Sequence, residues 1–250
     1  MRLTLLGSGN AAGMPLYGCV CERCQTIKDN EELHRGPACA LIEVDNKKYL
    51  IDAGLMDISR QYPSGTLDGI FLTHFHPDHV QGLFHLRWGI GQSVPVYCPP
   101  DKQGCGDLFN YSGILDFQEQ RKFESFSLDF LRITPLPLIH SKVTFGYQFE
   151  YQNQCIVYLT DTKGLPPKTQ SILEASSIDL LVIDTSFPTN IENSGHNNLS
   201  ETLQIHQQLK PKRTVLTHIG HDLDVWLSQH SDNLPESVIT GHDNFTVYPY

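Results

Sequence analysis

Seven consecutive residues, Thr73-His74-Phe75-His76-Pro77-Asp78-His79, place three imidazoles and a carboxylate within six positions. Alternate residues of an extended segment project to the same side, so His74 and His76 can share one ion. Asp78 and His79 can then turn toward a neighbouring ion. Neutral imidazole and carboxylate oxygen suit a borderline divalent cation such as Mn, Fe, Ni or Zn.

A metal site also needs ligands from distant segments, and the endings of several apolar runs supply candidates. Phe71-Leu72-Thr73 leads into His74, Tyr158-Leu159-Thr160 into Asp161, and Val215-Leu216-Thr217 into His218. Leu136-Pro137-Leu138-Ile139 delivers His140. Residues just past strand ends are where active sites of layered sheets collect. The simplest division gives His74, His76 and His140 to one ion and Asp78, His79 and His218 to the other, with Asp161 bridging both. Such a pair activates water and clamps a transferring phosphoryl group, which makes Asp78 catalytic as well as ligating. Asp52, in Leu50-Ile51-Asp52-Ala53-Gly54, either orients a ligand histidine or holds a turn through its backbone.

A second cluster lies near the N-terminus. Cys19, Cys21 and Cys24 form Cys-x-Cys-x-x-Cys in a loop at about 18–25. Three thiolates can occupy three corners of a zinc tetrahedron, with a fourth ligand from elsewhere. His221, in a loop three residues beyond His218, is the first choice, with Cys39 and His34 in reserve. A closed set of this kind is structural rather than catalytic. The competing redox reading of Cys-x-x-Cys lacks a thioredoxin-like βαβ context. Cys98, Cys105 and Cys155 read as buried apolar residues.

The elements that must position these groups are mostly short strands. Cys39 to Gly54 reads as a hairpin, Leu67 to Leu72 as a strand, and the heptad as the loop after it. Val80 to Trp88 has helical spacing. Strands follow at 94–98 and through Phe123 to Leu138, then a hairpin from Tyr147 to Thr160 around Gln152-Asn153. Lys168 to Ala175 is predicted helical, Leu180 to Ile183 a buried strand, 199–209 a helix capped by Asn198, and Thr214 to Leu216 a strand. Strands with interspersed helices, in two broadly similar halves, predict sheets covered by helices.

The 250 residues read as one domain, 1–250, large enough for a core without disulfide staples. Seven cysteines, an odd number, favour metal ligation in a reducing compartment over a disulfide framework. A net charge of -10 and a pI near 5.6 argue against nucleic acid as a partner. Two bound divalent cations would offset part of that charge where an anionic substrate docks. The apolar stretch at the N-terminus is too short for a secretory segment, and no run is long enough to span a membrane. A cytoplasmic enzyme with a small-molecule substrate is the expectation.

Taken together, these residues resemble the metallo-β-lactamase superfamily, whose signature is His-x-His-x-Asp-His. Within it the chain is similar to the phosphodiesterases of the bacterial carbon–phosphorus lyase (phosphonate) pathway. The similarity runs through Gly18-Cys19-Val20-Cys21-Glu22-Arg23-Cys24, Ile51-Asp52-Ala53-Gly54-Leu55, Val80-Gln81-Gly82-Leu83-Phe84 and Leu86-Arg87-Trp88-Gly89. It continues in His140-Ser141-Lys142, Thr144-Phe145-Gly146-Tyr147 and Leu216-Thr217-His218-Ile219. The heptad marks only the superfamily; the cysteine cluster and the His140 segment are more specific. The resemblance implies an αββα sandwich, two mixed sheets covered by helices, with a dinuclear manganese site at one edge. It also implies a structural zinc on Cys19, Cys21, Cys24 and His221, and a homodimer. The implied reaction opens 5-phosphoribosyl 1,2-cyclic phosphate to ribose 1,5-bisphosphate. His196, at a loop-to-helix junction in Ser-Gly-His-Asn-Asn-Leu, is the expected general acid, and Lys142 or Arg87 the expected contact to the 5-phosphate. His85, His206, His230 and His242 read as surface or packing residues, and Lys163 has no role. Competing functions are a tRNA-processing nuclease, a cofactor-biosynthesis hydrolase with a similar cysteine-bound zinc, a thioesterase or glyoxalase-type hydrolase, and a non-catalytic metal-binding protein.

Overall fold

Alternation of side chains along each strand explains the layering. In the computed structural model, which describes residues 1–249, one sheet contains β1 (Arg2–Gly7), β2 (Cys39–Val44), β3 (Lys47–Ile51), β4 (Gly69–Phe71), β5 (Val94–Cys98), β6 (Leu115–Glu119) and β14 (Phe245–Val247). The other contains β7 (Phe126–Leu128), β8 (Leu131–Pro137), β9 (Phe145–Tyr151), β10 (Gln154–Leu159), β11 (Leu180–Asp184), β12 (Arg213–Thr217) and β13 (Val238–Thr240). Their orders are β14-β1-β2-β3-β4-β5-β6 and β13-β12-β11-β10-β9-β8-β7. Both are mixed: β3 through β6 and β10 through β13 run parallel, and the remaining pairs are antiparallel.

Ile156 and Tyr158 of β10, with Leu180 and Val182 of β11, point inward between the sheets. Their neighbours Val157, Leu159, Leu181 and Ile183 point outward and pack with Leu173, Ile205 and Leu209. Those last three belong to α6 (Pro167–Glu174) and α7 (Leu199–Leu209). On the other outer face Leu50, Ile70 and Val96 pack with Val80, Leu83, Leu86 and Leu108. These come from α3 (Pro77–Val80), α4 (Leu83–Leu86) and α5 (Gly106–Asn110), with α2 (Ile58–Gln61) beside them. The result is the expected αββα sandwich. Phe71 is the hub of its centre, with the rings of Tyr49, Tyr97, Phe126, Tyr147 and Phe149 around it. Tyr147 also donates its hydroxyl across the sandwich to Leu72 O at 2.6 Å, which satisfies its buried oxygen.

Several boundaries differ from the sequence reading. Val80 to Trp88 is not one helix: α3 and α4 are separate single turns broken at Gln81-Gly82. A Cβ at Gly82 would lie 2.2 Å from Leu55 O, so the chain approaches backbone to backbone there. The strand expected at Leu67–Leu72 is only β4, because Asp68 turns to accept from Lys48 N and Lys47 Nζ. The cysteine loop runs into α1 (Glu22–Lys28), and His221 is not in a loop but opens α8 (His221–His230). The Asn198 cap is a full capping box with Glu201. Among the described residues no helix is long and apolar enough to cross a membrane.

Candidate metal centres

The heptad leaves β4 and crosses the sandwich edge, where ends of strands from the other sheet meet it. Asp52 after β3, Asp161 after β10 and His218 after β12 all take left-handed backbones, with φ of 62, 60 and 57°. Non-glycine residues there carry about 1 kcal/mol or more of strain each, and such strain gathers where a side chain must be aimed. In each case the chain turns sharply off the strand and delivers its side chain to one point.

Asp161 is that point. Its Oδ2 faces His74 Nε2 at 3.6 Å and His140 Nε2 at 3.5 Å. Its Oδ1 faces His79 Nε2 and His218 Nε2, both at 3.4 Å. His76 Nδ1 completes the first set, 2.9 Å from His74 Nε2 and 3.1 Å from His140 Nε2. Asp78 Oδ2 completes the second, 3.2 Å from His79 Nε2. The structure therefore brings every residue expected at the two positions into two adjoining sets, His74, His76, His140 and Asp161 in one and Asp78, His79 and His218 in the other, with Asp161 Oδ1 facing the two histidines of the second.

The outward nitrogens of these rings are anchored. His74 Nδ1 meets Thr73 Oγ1 at 3.0 Å, His79 Nδ1 meets Asp52 Oδ2 at 2.8 Å, and His218 Nδ1 meets Ser186 Oγ at 2.8 Å. His140 Nδ1 reaches Gly195 O at 3.2 Å. Such outer partners fix the tautomer that presents a lone pair inward. Asp52 also accepts from the Thr73 backbone N–H and hydroxyl, both at 2.8 Å, so it braces the heptad and orients His79 at once. One carboxylate thus bonds both to backbone and to a histidine ring.

Among the described residues, the buried inner nitrogens of His79 and His218 find no hydrogen-bond partner of good geometry. A buried imidazole nitrogen left unpaired costs about 1–3 kcal/mol, which a cation at that position would remove. The donor set fits divalent ions. Burial also pushes the His74, His76 and His140 imidazoles below the ordinary histidine range, keeping them neutral and able to ligate. Burial opposes the charged form of Asp161, but His218 and His79 outweigh it and hold the carboxyl well below the usual range. For His79 burial is likewise outweighed, by Asp161 and Asp52, and its imidazole is held high.

His196 stands beside both ligand sets, its ring 5.0 Å from that of His140 and stacked 4.7 Å from that of His218. Sequence reasoning missed what holds it. The fully buried Asp184, at the end of β11, accepts from His196 Nδ1 at 2.7 Å. The same carboxylate accepts from Ser186 Oγ at 2.8 Å and Thr162 N at 2.9 Å. Burial would lower the His196 pKa, but the bond to Asp184 outweighs it and the pKa is raised. The available signal was a repeated pattern: like Asp52 and Asp161, Asp184 ends an apolar strand and is followed within two residues by a small or hydroxylated residue. Asp161, Asp184, His196 and His218 also lie close enough to be read as a cation site. The hydrogen bonds already made by Asp184 and His196 account for that grouping.

The second cluster also assembles. His221 Nε2 lies 3.4 Å from Cys19 Sγ and 3.5 Å from Cys21 Sγ, and Cys24 joins them. The Cys24 backbone N–H and His221 pull the Cys21 thiol down to about 6, whereas burial lifts Cys24 to about 11. This donor set, three sulfurs and an imidazole whose Nδ1 is tied to Asp222 at 2.7 Å, fits a tetrahedral zinc. The reserves fall away: Cys39 is buried in β2, and His34 Nε2 bonds to Ile27 O at 3.1 Å.

Of the two cations considered for the 5-phosphate, Arg87 is engaged elsewhere. It donates to Asp107 at 2.7 Å and lies over the rings of Phe84 and Trp88. Lys142 follows His140 and Ser141, with its Nζ 4.0 Å from Asp101. Lys163 pairs with Glu201 of α7 at 2.5 Å.

Two helix-covered mixed sheets with paired His/Asp ligand sets at one edge define a metallo-β-lactamase-fold, metal-dependent hydrolase. The chain belongs to the beta-lactamase superfamily domain family, whose pattern matches residues 47–219. It is similar to a diphosphatase from the PhnP family, with 27% identity, a TM-score of 0.84, and coverage of 99% of this chain and 97% of that one. Zinc-bound PqqB from Methylobacterium extorquens shares the fold at 18% identity and a TM-score of 0.78, covering 99% of this chain and 100% of that one. An octanoyltransferase from Porphyromonas gingivalis is 26% identical over 97% of this chain and 50% of its own length. The chain thus spans half the length of that relative.

Proposed function

We propose that this chain is a dinuclear phosphodiesterase that opens a cyclic ribose phosphate, 5-phosphoribosyl 1,2-cyclic phosphate, to ribose 1,5-bisphosphate in phosphonate catabolism. The observation that carries the reading is the single carboxylate of Asp161, with one oxygen toward each ligand set and His196 beside both. In this reading manganese is held by His74, His76, His140 and Asp161 at one position and by Asp78, His79, His218 and Asp161 at the other. Bound there, the ions would supply an activated water and offset charge on the phosphoryl oxygens.

The chain's own residues do the rest. Asp184 fixes the His196 ring through Nδ1, so Nε2 is the atom that holds a proton for the departing alkoxide. Asp52 holds His79 and the heptad in place. Lys142, at the rim, contacts the distal phosphate as a point charge. Cys19, Cys21, Cys24 and His221 hold a structural zinc. The partners in this reading are a small phosphodiester and a second copy of the chain, with neither nucleic acid nor membrane, in the cytoplasm.

The likeness to a PhnP-family diphosphatase supports phosphoryl chemistry, and its name favours a second reading, hydrolysis of a diphosphate link. Turnover of the manganese-reconstituted protein on a ribose cyclic phosphate, bis(p-nitrophenyl) phosphate and a nucleoside diphosphate sugar separates the two. Activity on the diphosphate alone would overturn the first reading. Activity only on thioesters would overturn both.

A further inference from the structure

One short turn reaches both clusters. His218 presents its Nε2 to Asp161 at the hydrolytic centre, 3.4 Å away. His221, three residues on, presents its Nε2 to Cys19 and Cys21. The residues between are fixed by backbone contacts. Ile219 N donates to Ser8 O at 2.9 Å and Gly220 N to Ser186 O at 3.2 Å. A Cβ at Gly220 would sit 2.6 Å from that same Ser186 oxygen. The turn therefore has little freedom to move one imidazole without the other.

The cysteine loop is tied to this turn through one carboxylate. Asp224, in the first turn of α8, is 1% exposed, and its backbone N–H bonds to Gly220 O at 2.9 Å. Arg23, between Cys21 and Cys24, donates to its Oδ2 at 2.7 Å. Arg35 donates to its Oδ1 at 2.7 Å and also to Ser8 Oγ at 2.8 Å. Ser8 is the residue whose carbonyl receives Ile219. Cysteine loop, turn and N-terminal segment thus share a closed, buried network, the kind of contiguous packed path that can carry coupling.

We propose that the His218–His221 turn couples the two metal sites, with Asp224 as the positioning residue. Filling the Cys19, Cys21, Cys24 and His221 cluster favours the placement of His218 that completes the second hydrolytic position. Filling that position in turn holds the cysteine cluster closed, because coupling between sites is reciprocal. The proposal rests on the metal-binding part of the preceding reading and not on its substrate.

Alkylation of the zinc-loaded 250-residue chain with iodoacetamide, with and without saturating manganese, tests it. Mass spectrometry follows Cys19, Cys21 and Cys24 separately from Cys155, which is buried in β10 and reports global opening. Manganese is expected to slow labelling of the cluster at least about fivefold more than that of Cys155, the low end of ordinary coupling. His218→Asn removes that excess protection, Asp224→Asn reduces it, and His74→Asn, at the other hydrolytic position, retains it. Equal slowing of the cluster and Cys155 in the unaltered protein overturns the coupling, and so does undiminished protection in a folded His218→Asn. If His218→Asn does not fold, the Cys155 comparison in the unaltered protein decides alone. No turnover is measured, so inactivity on phosphodiesters would leave the outcome intact, whereas failure to bind manganese would overturn both readings.

Discussion

Replacing Asp184 by Asn tests the proton route directly. Asp184 is fully buried, and its oxygens accept from His196 Nδ1, Thr162 N and Ser186 Oγ at 2.7, 2.9 and 2.8 Å. An asparagine can keep its Oδ1 toward His196 and Thr162 and turn its amide toward Ser186, so the geometry survives while the charge is lost. A hydrogen bond to a charged group is worth about 1.5–3 kcal/mol against about 1 kcal/mol for a neutral one. The imidazolium of His196 therefore loses about 0.5–2 kcal/mol of support, roughly 2- to 30-fold in rate. The ceiling is the roughly 10²- to 10⁴-fold contributed by a general acid, the loss expected for His196→Ala. The assay compares two leaving groups at measured metal content. An alkoxide, from a ribose cyclic phosphate, needs the proton and should show the full loss. The p-nitrophenolate of bis(p-nitrophenyl) phosphate leaves without one and should show little. Equal loss on both substrates with metal content unchanged would refute the role of Asp184 as orienter of the acid. Loss that follows metal content would instead assign it to His218, through Ser186.

Other outcomes follow from the same geometry. Asp161→Ala removes the oxygen facing each ligand set, so a manganese titration followed by electron paramagnetic resonance should show both ions weakened, whereas His76→Ala should weaken one. Phe71→Ala empties the ring cluster at the centre of the sandwich and should cost about 3–5 kcal/mol in a urea titration. His206 sits between Thr214 and Ser237, and burial pushes its pKa down. Its unfolded form, with a pKa near 6.5, then binds more protons, so its contribution is full above about pH 6.5 and falls as pH drops toward the folded value. The stability of His206→Gln should accordingly fall less steeply than that of the native chain as pH drops below about 6.5, and parallel curves would refute neutral burial. Cys21→Ser should lose the zinc, measured by elemental analysis, and lower the thermal midpoint.

The ligand sets were readable because each comes at the end of an apolar strand, and burial makes such strands continuous hydrophobic runs in the sequence. The heptad gave one set of neighbours; His140, Asp161 and His218 were legible only through their matching approach runs. The left-handed turns that aim Asp52, Asp161 and His218 leave no mark beyond the residue type. Asp184 was missed for a different reason. Its bond to His196 spans a loop, and nothing local links the two. The helices α1 and α8 were also missed. Both are short, and both open at or beside a cysteine-cluster residue, so polar residues interrupt the apolar spacing that identifies a helix. Pairing of β14 with β1 joins the two ends of the described chain, a contact that depends on the finished sandwich rather than on any neighbouring residues.

The measurement that bears most directly on the function is hydrolysis of 5-phosphoribosyl 1,2-cyclic phosphate by the metal-free chain as manganese is added back. Activity should rise with the second ion bound per chain and vanish in Asp161→Ala. Full activity with one ion, or none on any phosphodiester at saturating manganese, would contradict the dinuclear phosphodiesterase.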